Sequence, residues 1–129
     1  FIETVEHTFG DLPMPMLTLQ VGHEPDPEKL VEEALLCCQR LNQGAGVLVI
    51  TDMMGSTPSN IAQKMQINAP HVKVIAGLNL PMLFKIITYK DLPLKALAAK
   101  AVMGAREGIF MLSDIEKAIQ AKPPKPECL

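Results

Sequence analysis

The side chains best suited to chemistry lie together in residues 51–60, directly after a run of four aliphatic residues. Asp52 follows what reads as a strand buried on both faces, where a carboxylate needs a partner. Gly55 allows the backbone to turn sharply. Three hydroxyl residues then begin a predicted helix, whose free N–H groups and dipole favour an anion: Ser56, Thr57 and Ser59. This pattern is typical of a carboxylate beside a small phosphate cradle.

The same segment also fits a purely structural interpretation. Thr57 would be the helix N-cap and Pro58 the first helical residue, while Asp52 closes a turn. The residues alone leave the two interpretations about equally open. A nucleotide-binding P-loop is excluded, because no Gly-Lys-Ser/Thr sequence follows. A dinucleotide fingerprint is excluded as well, since Gly44-x-Gly46 precedes a strand rather than following one.

A second polar loop, residues 77–83, follows the next predicted strand and contains Asn79. The Asn79 amide can both donate and accept hydrogen bonds near the first loop. A simple helix-entry turn explains the same residue at least as well.

Strands alternate with helices along the chain, which predicts an α/β fold with an open, mainly parallel sheet and helices on both faces. Predicted strands cover residues 14–21, 47–50, 72–76 and 109–112, and predicted helices cover 1–9, 27–42, 57–67, 81–89 and 94–106. Residues 1–121 are predicted to form a single domain, and residues 122–129 an extended tail. Sites in such sheets form beyond the carboxyl ends of the strands, where both polar loops fall.

Composition limits the class of function. The chain has 129 residues, 48% of them hydrophobic, and a net charge of −2 with acidic and basic residues interspersed. We therefore expect no nucleic-acid binding. No segment approaches the roughly 20 apolar residues of a membrane span, and residues 1–10 do not resemble a signal peptide. Three cysteines without a disulfide framework favour free thiols in the cytoplasm: Cys37, Cys38 and Cys128. The histidines and cysteines lack ligand spacing, so no metal and no cofactor is expected.

The two loops together resemble the paired signature of mannose-family enzyme IIA domains of the sugar phosphotransferase system. The matching residues are Thr51-Asp52-x-x-Gly55-x-Thr57-Pro58-x-Asn60, followed by residues 76–83, and residues 105–109 resemble the family's late helix end. The resemblance extends from residue 1 to about residue 112. It implies a flavodoxin-like fold and a homodimer.

The resemblance also implies a reaction. A histidine would accept a phosphoryl group from the histidine phosphocarrier protein and pass it to an enzyme IIB domain, in sugar uptake or in regulation. Asp52 matches the family aspartate and would orient the acceptor imidazole, and Thr57 matches the helix-start hydroxyl. The phosphate would be bound by Gly55, Ser56, Thr57 and Ser59, with Asn60 and Asn79 supporting the loops.

The chain departs from the family where the acceptor histidine should stand. In the family that histidine ends the first strand, in an apolar run followed by Thr-His-Gly, and no such segment occurs here. His7 resembles a helix-end residue, His23 a solvated loop residue near the active edge, and His71 precedes a strand at the opposite edge. We therefore expect that the first strand is absent from this sequence through truncation, and that the acceptor lies upstream of Phe1.

Two other functions stay open from the sequence. One is the phosphocarrier of a dihydroxyacetone kinase system, which shares this fold and much of the signature. The other is a non-catalytic interaction module that retains Asp52 and Thr57 but never accepts phosphate.

Overall fold

The computed structural model describes residues 5, 8, 13–22, 26–67 and 69–115 of the chain. Within them, helices and strands alternate in the order α1 (Pro27–Leu41), β1 (Val47–Thr51), α2 (Thr57–Ile67), β2 (Val72–Ala76), α3 (Leu80–Thr88) and α4 (Leu94–Glu107). Every element predicted between residues 27 and 107 is present, with bounds that differ by at most one residue. The predicted α/β class is therefore confirmed.

The described sheet has two parallel strands, β1 and β2, paired in register from Val47 opposite Val72 to Thr51 opposite Ala76. Helix α2 crosses between them, as a parallel connection requires. Because both strands run in the same direction, their carboxyl ends meet at one edge. The loops that begin at Asp52 and Gly77 therefore leave the sheet side by side.

Helices cover both faces of this sheet, as predicted. On one face, Val47 packs in a cluster with residues of α1, α2 and β2: Ala34, Cys38, Met65, Ala69 and Val72. On the other face, Leu48 and Ile50 pack against a cluster built mainly from α3 and α4: Leu83, Ile86, Ile87, Leu97 and Ala101. The alternation along β1 explains its unbroken aliphatic sequence, since each side chain enters one of two apolar layers.

Two predicted strands are not strands in the structure. Residues 14–21 pair with no other segment of the described chain, and their apolar pattern instead reflects packing of Met14 and Met16 against the α3–α4 cluster. Residues 109–111 are irregular, and Leu112 begins a helical turn that continues to residue 115. A strand needs a neighbour that supplies N–H and C=O groups, and apolar sequence alone does not provide one.

Other predictions concern residues at the ends of the chain and in the loop before α1. The predicted N-cap of α1 is confirmed, because Asp26 Oδ1 accepts a hydrogen bond from Glu28 N–H at 3.2 Å. Val5 and Thr8 are helical, as predicted for residues 1–9. His7, His23, Cys128 and the predicted tail lie outside the described residues. None of the described helices is long and apolar enough to cross a bilayer.

Candidate functional site

Asp52 lies immediately after β1, at the carboxyl edge of the sheet, with its side chain exposed. Its Oδ1 accepts two hydrogen bonds of 2.7 Å, one from the Ser56 hydroxyl and one from the Met53 N–H. The Ser56 bond first, and then the Met53 bond, hold the pKa of the Asp52 carboxyl below its ordinary value. Asp52 is therefore a carboxylate at neutral pH with one oxygen already engaged.

The N-cap of α2 is Ser56, not Thr57 as the sequence suggested. Ser56 Oγ accepts a hydrogen bond from Ser59 N–H at 3.2 Å, and Ser56 O accepts the first helical bond from Asn60 N–H at 2.9 Å. The helix consequently begins at Thr57, with Pro58 as its second residue. The predicted N-cap was one residue too far along the chain. Ser56 and Thr57 both carry a hydroxyl, and only the backbone path decides which hydroxyl accepts from Ser59 N–H.

The remaining residues of the predicted phosphate cradle divide into exposed and buried groups. Thr57 is exposed, and its hydroxyl has no hydrogen-bond partner in the described part of the chain. Gly55 has φ +89°, a backbone conformation that favours glycine, and its carbonyl accepts a long 3.5 Å bond from Asn60 Nδ2. Ser59 is buried, with only 2% of the residue exposed. Ser59 therefore contributes its N–H to the helix start, whereas Thr57 offers an exposed hydroxyl.

Asn79 links the second loop to two helices. Its Oδ1 caps α3 by accepting from Met82 N–H at 3.0 Å, and its Nδ2 donates to the Ala105 carbonyl of α4 at 2.9 Å. Both ends of the amide are thus engaged in holding the loop. Asn79 therefore has little remaining capacity to bind a ligand directly.

The carbonyl of Thr51 joins the two loops. It accepts hydrogen bonds from Gly77 N–H at 3.1 Å and from Leu78 N–H at 3.0 Å. The Thr51 hydroxyl itself is buried and has no partner among the described residues. Sequence reasoning missed this hydroxyl, and the only signal for it was a threonine at the end of an otherwise aliphatic strand.

Among the described residues the one histidine is His71, and it does not approach the carboxyl edge of the sheet. It is exposed and directly precedes β2, and its carbonyl accepts a hydrogen bond from Val47 N–H at the start of β1. The opposite-edge position predicted for it is confirmed. Within residues 26–67 and 69–115 and the shorter described segments, no three His, Cys, Asp or Glu side chains form a group that could hold a metal ion.

The site thus combines an ionised carboxylate, a helix N-terminus and an exposed hydroxyl at the carboxyl edge of a parallel sheet. A helix N-terminus in this position suits a phosphoryl group, and the carboxylate suits the N–H of a neighbouring imidazole. Fold and site together define an α/β domain with a polar site at the carboxyl edge of its parallel sheet.

Comparison with known proteins identifies the family. Residues 1–103 match the EIIA-man family, described as the PTS system fructose IIA component. The mannose-specific EIIAB component of the PTS system from Escherichia coli (strain K12) is 35% identical over 98 residues, which cover 74% of this chain and 28% of that protein. The protein of the same description from Shigella flexneri gives the same values. The chain thus spans less than a third of the length of these curated relatives.

A solved structure is also similar. The crystal structure of phosphotransferase system component EIIA from Streptococcus agalactiae shares 28% sequence identity, with a TM-score of 0.59. The match covers 71% of this chain and 72% of that one. The chain therefore belongs to the EIIA-man family of the sugar phosphotransferase system, and the resemblance found in its two loops is confirmed.

Proposed function

We propose that this protein is a phosphoryl carrier of the sugar phosphotransferase system, acting in sugar uptake or in its regulation. A histidine accepts the phosphoryl group from the histidine phosphocarrier protein and passes it to an enzyme IIB domain. In each transfer one N–P bond breaks and another forms. The donor imidazole leaves with the electron pair of the broken bond, and no nucleotide takes part.

The observation that supports this proposal best is the arrangement around Asp52. Oδ1 is held by Ser56 and Met53, while Oδ2 makes no hydrogen bond within the described chain. A carboxylate that holds one imidazole N–H fixes the tautomer and leaves the other nitrogen free to attack phosphorus. The Thr57 hydroxyl and the first N–H groups of α2 are suited to the phosphoryl oxygens as negative charge develops on them.

We propose further that the acceptor histidine precedes Phe1 in the protein's sequence. The family resemblance puts the acceptor at the end of the first strand, whereas residues 1–10 resemble the end of the first helix. His71 lies at the wrong edge of the sheet for a role beside Asp52. The carrier would act in the cytoplasm as a homodimer, which sedimentation of the purified protein would test.

The experiment is an intact-mass measurement after incubation with phosphoenolpyruvate, enzyme I and the histidine phosphocarrier protein. Residues 1–129 are compared with a version extended upstream to the native start. An acid-labile phosphoryl group on the extended protein alone is the expected result. Label on residues 1–129 would move the acceptor to a histidine within them. No label on either protein would overturn the proposed function and favour an interaction module.

The role of Asp52 can be tested in whichever of the two proteins accepts the phosphoryl group. Asp52→Ala should slow phosphoryl transfer on the order of a hundredfold, since it removes the group that orients the imidazole. The fold should persist, because Asp52 is exposed and outside both apolar clusters. Asp91→Ala is the matched control, an exposed aspartate whose described contact is a surface ion pair with Lys90. Equal transfer rates in the two variants would contradict the role.

A further inference from the structure

A chain of hydrogen bonds connects the start of α2 to the proposed reaction centre through one hydroxyl. Ser59 N–H donates to Ser56 Oγ at 3.2 Å, and Ser56 Oγ donates to Asp52 Oδ1 at 2.7 Å. Met53 N–H donates to the same carboxylate oxygen at 2.7 Å. Asp52 is therefore fixed by its neighbours in the loop, although its side chain lies on the surface.

This arrangement makes the two carboxylate oxygens different. Oδ1 accepts two hydrogen bonds, whereas Oδ2 accepts none within the described chain. We propose that Ser56 is a positioning residue, which holds Oδ1 so that Oδ2 remains free and oriented for the N–H of the acceptor imidazole. The inference rests on the proposed function, because it concerns the same transfer.

Ser56 therefore has a different task from the phosphate binding that its sequence position suggested. A hydroxyl has one proton to donate, and Ser56 donates it to Asp52 while its oxygen accepts from Ser59. Binding a phosphoryl oxygen with that proton would release the carboxylate at the moment the imidazole needs it. The exposed Thr57 hydroxyl, with no competing partner in the described chain, keeps the phosphate role.

Hydrogen bonds, rather than neighbouring charges, lower the pKa of the Asp52 carboxyl. No charged side chain of the described residues contributes to the lowered pKa of its carboxyl, which is caused mainly by the Ser56 hydrogen bond and then by the Met53 hydrogen bond. Removing the Ser56 hydroxyl should therefore raise the Asp52 pKa toward its ordinary value. If Ser56 only capped α2, its replacement by alanine would lower the stability of the helix and leave the Asp52 titration unchanged.

The first measurement is a carbon-13 NMR titration of the Asp52 carboxyl in the unphosphorylated full-length protein, assigned with Asp52→Asn. Ser56→Ala should raise the Asp52 pKa, and Ser56→Thr, which restores a hydroxyl, should return it toward the wild-type value. Thr88→Ala is the matched control. It removes a hydroxyl that donates at the same 2.7 Å length to the Phe84 carbonyl, at the far end of α3. An unchanged Asp52 pKa in folded Ser56→Ala would overturn the inference.

The second measurement is the rate of phosphoryl transfer at neutral pH, where the Asp52 carboxyl is ionised in every variant. Ser56→Ala should transfer the phosphoryl group roughly tenfold more slowly, because Oδ1 is no longer held and Oδ2 is no longer oriented toward the imidazole. Ser56→Thr should restore most of the rate, and Thr88→Ala should keep the wild-type rate.

The two measurements separate failure of the inference from failure of the proposed function. If the wild-type protein accepts no phosphoryl group but Ser56→Ala still raises the Asp52 pKa, the proposed function fails and the coupling between the residues stands. If transfer occurs at the wild-type rate in Ser56→Ala, the function stands and the positioning role fails.

Discussion

Asn79 offers the sharpest test of how the site loops are held, because a single amide makes two contacts with defined partners. Asn79→Ala removes the α3 cap to Met82 N–H, at 3.0 Å, and the bond to the Ala105 carbonyl, at 2.9 Å. Loss of an N-cap costs about 1 kcal/mol. Loss of a part-buried hydrogen bond that leaves a carbonyl unpaired costs about 1 kcal/mol more. We therefore expect the free energy of unfolding to fall by about 2 kcal/mol.

The assay is denaturant and thermal unfolding followed by circular dichroism. For a chain of this size, 2 kcal/mol should lower the melting temperature by about 8 °C. Asp26→Ala is the matched control, since Asp26 caps α1 through one contact, to Glu28 N–H, and should cost only about 1 kcal/mol. Asn79→Ser keeps a side-chain oxygen that can cap α3 but is too short to reach the Ala105 carbonyl, so it should fall between wild type and Asn79→Ala.

The comparison of the two caps decides the interpretation. If Asn79→Ala costs no more than Asp26→Ala, the bond to Ala105 contributes nothing net and Asn79 acts only as a helix cap. If Asn79→Ser is as unstable as Asn79→Ala, the donor to α4 provides most of the effect. Either result would refute an equal division between the two contacts.

Two matched pairs of neighbouring residues give further predictions. Gly46→Ala should destabilise the protein by at least about 3 kcal/mol, because φ is +91° and an added Cβ would lie 2.6 Å from the His71 carbonyl oxygen. Gly44→Ala, at φ +107° with open space around it, should cost only about 1–2 kcal/mol in urea unfolding, and equal costs would contradict the role of the contact. Burial, and then the adjacent Cys37 thiol, raise the pKa of the Cys38 thiol, so its reactive thiolate is scarce at pH 8. Peptide mapping after brief iodoacetamide treatment should find Cys37, which is more exposed, alkylated several-fold faster than Cys38, and the reverse order would refute this.

The sequence predicted those parts of the fold in which residue type and burial coincide. The run from Val47 to Ile50 predicted a strand covered on both faces, and the two apolar clusters confirm it. Asp26 followed by Pro27 predicted the start of α1, because only short polar side chains cap a helix well and proline suits its first position. Such signals are local, so one sequence is enough to read them.

The sequence failed where a structure depends on a partner. Residues 14–21 have the composition of a strand, but no described segment supplies the hydrogen bonds of one. Ser56 and Thr57 offer nearly identical chemistry, and the choice of cap depends on a backbone path that residue types do not specify. The link from Ser56 to Asp52 was missed for the same reason, since a hydroxyl beside a phosphate cradle is first interpreted as a phosphate ligand.

The geometry of the site is ultimately set by the end of β1 rather than by either loop. The Thr51 carbonyl accepts from both Gly77 and Leu78, so the second loop is fixed to the residue that precedes Asp52. Asn79 then fastens that loop to α3 and α4. Asp52 and Asn79 are distant in sequence and make no direct hydrogen bond in the described chain, yet the Thr51 carbonyl links the two segments that carry them. The paired signature of the two loops therefore has a structural counterpart, because the second loop is hydrogen-bonded to the residue from which the first loop starts.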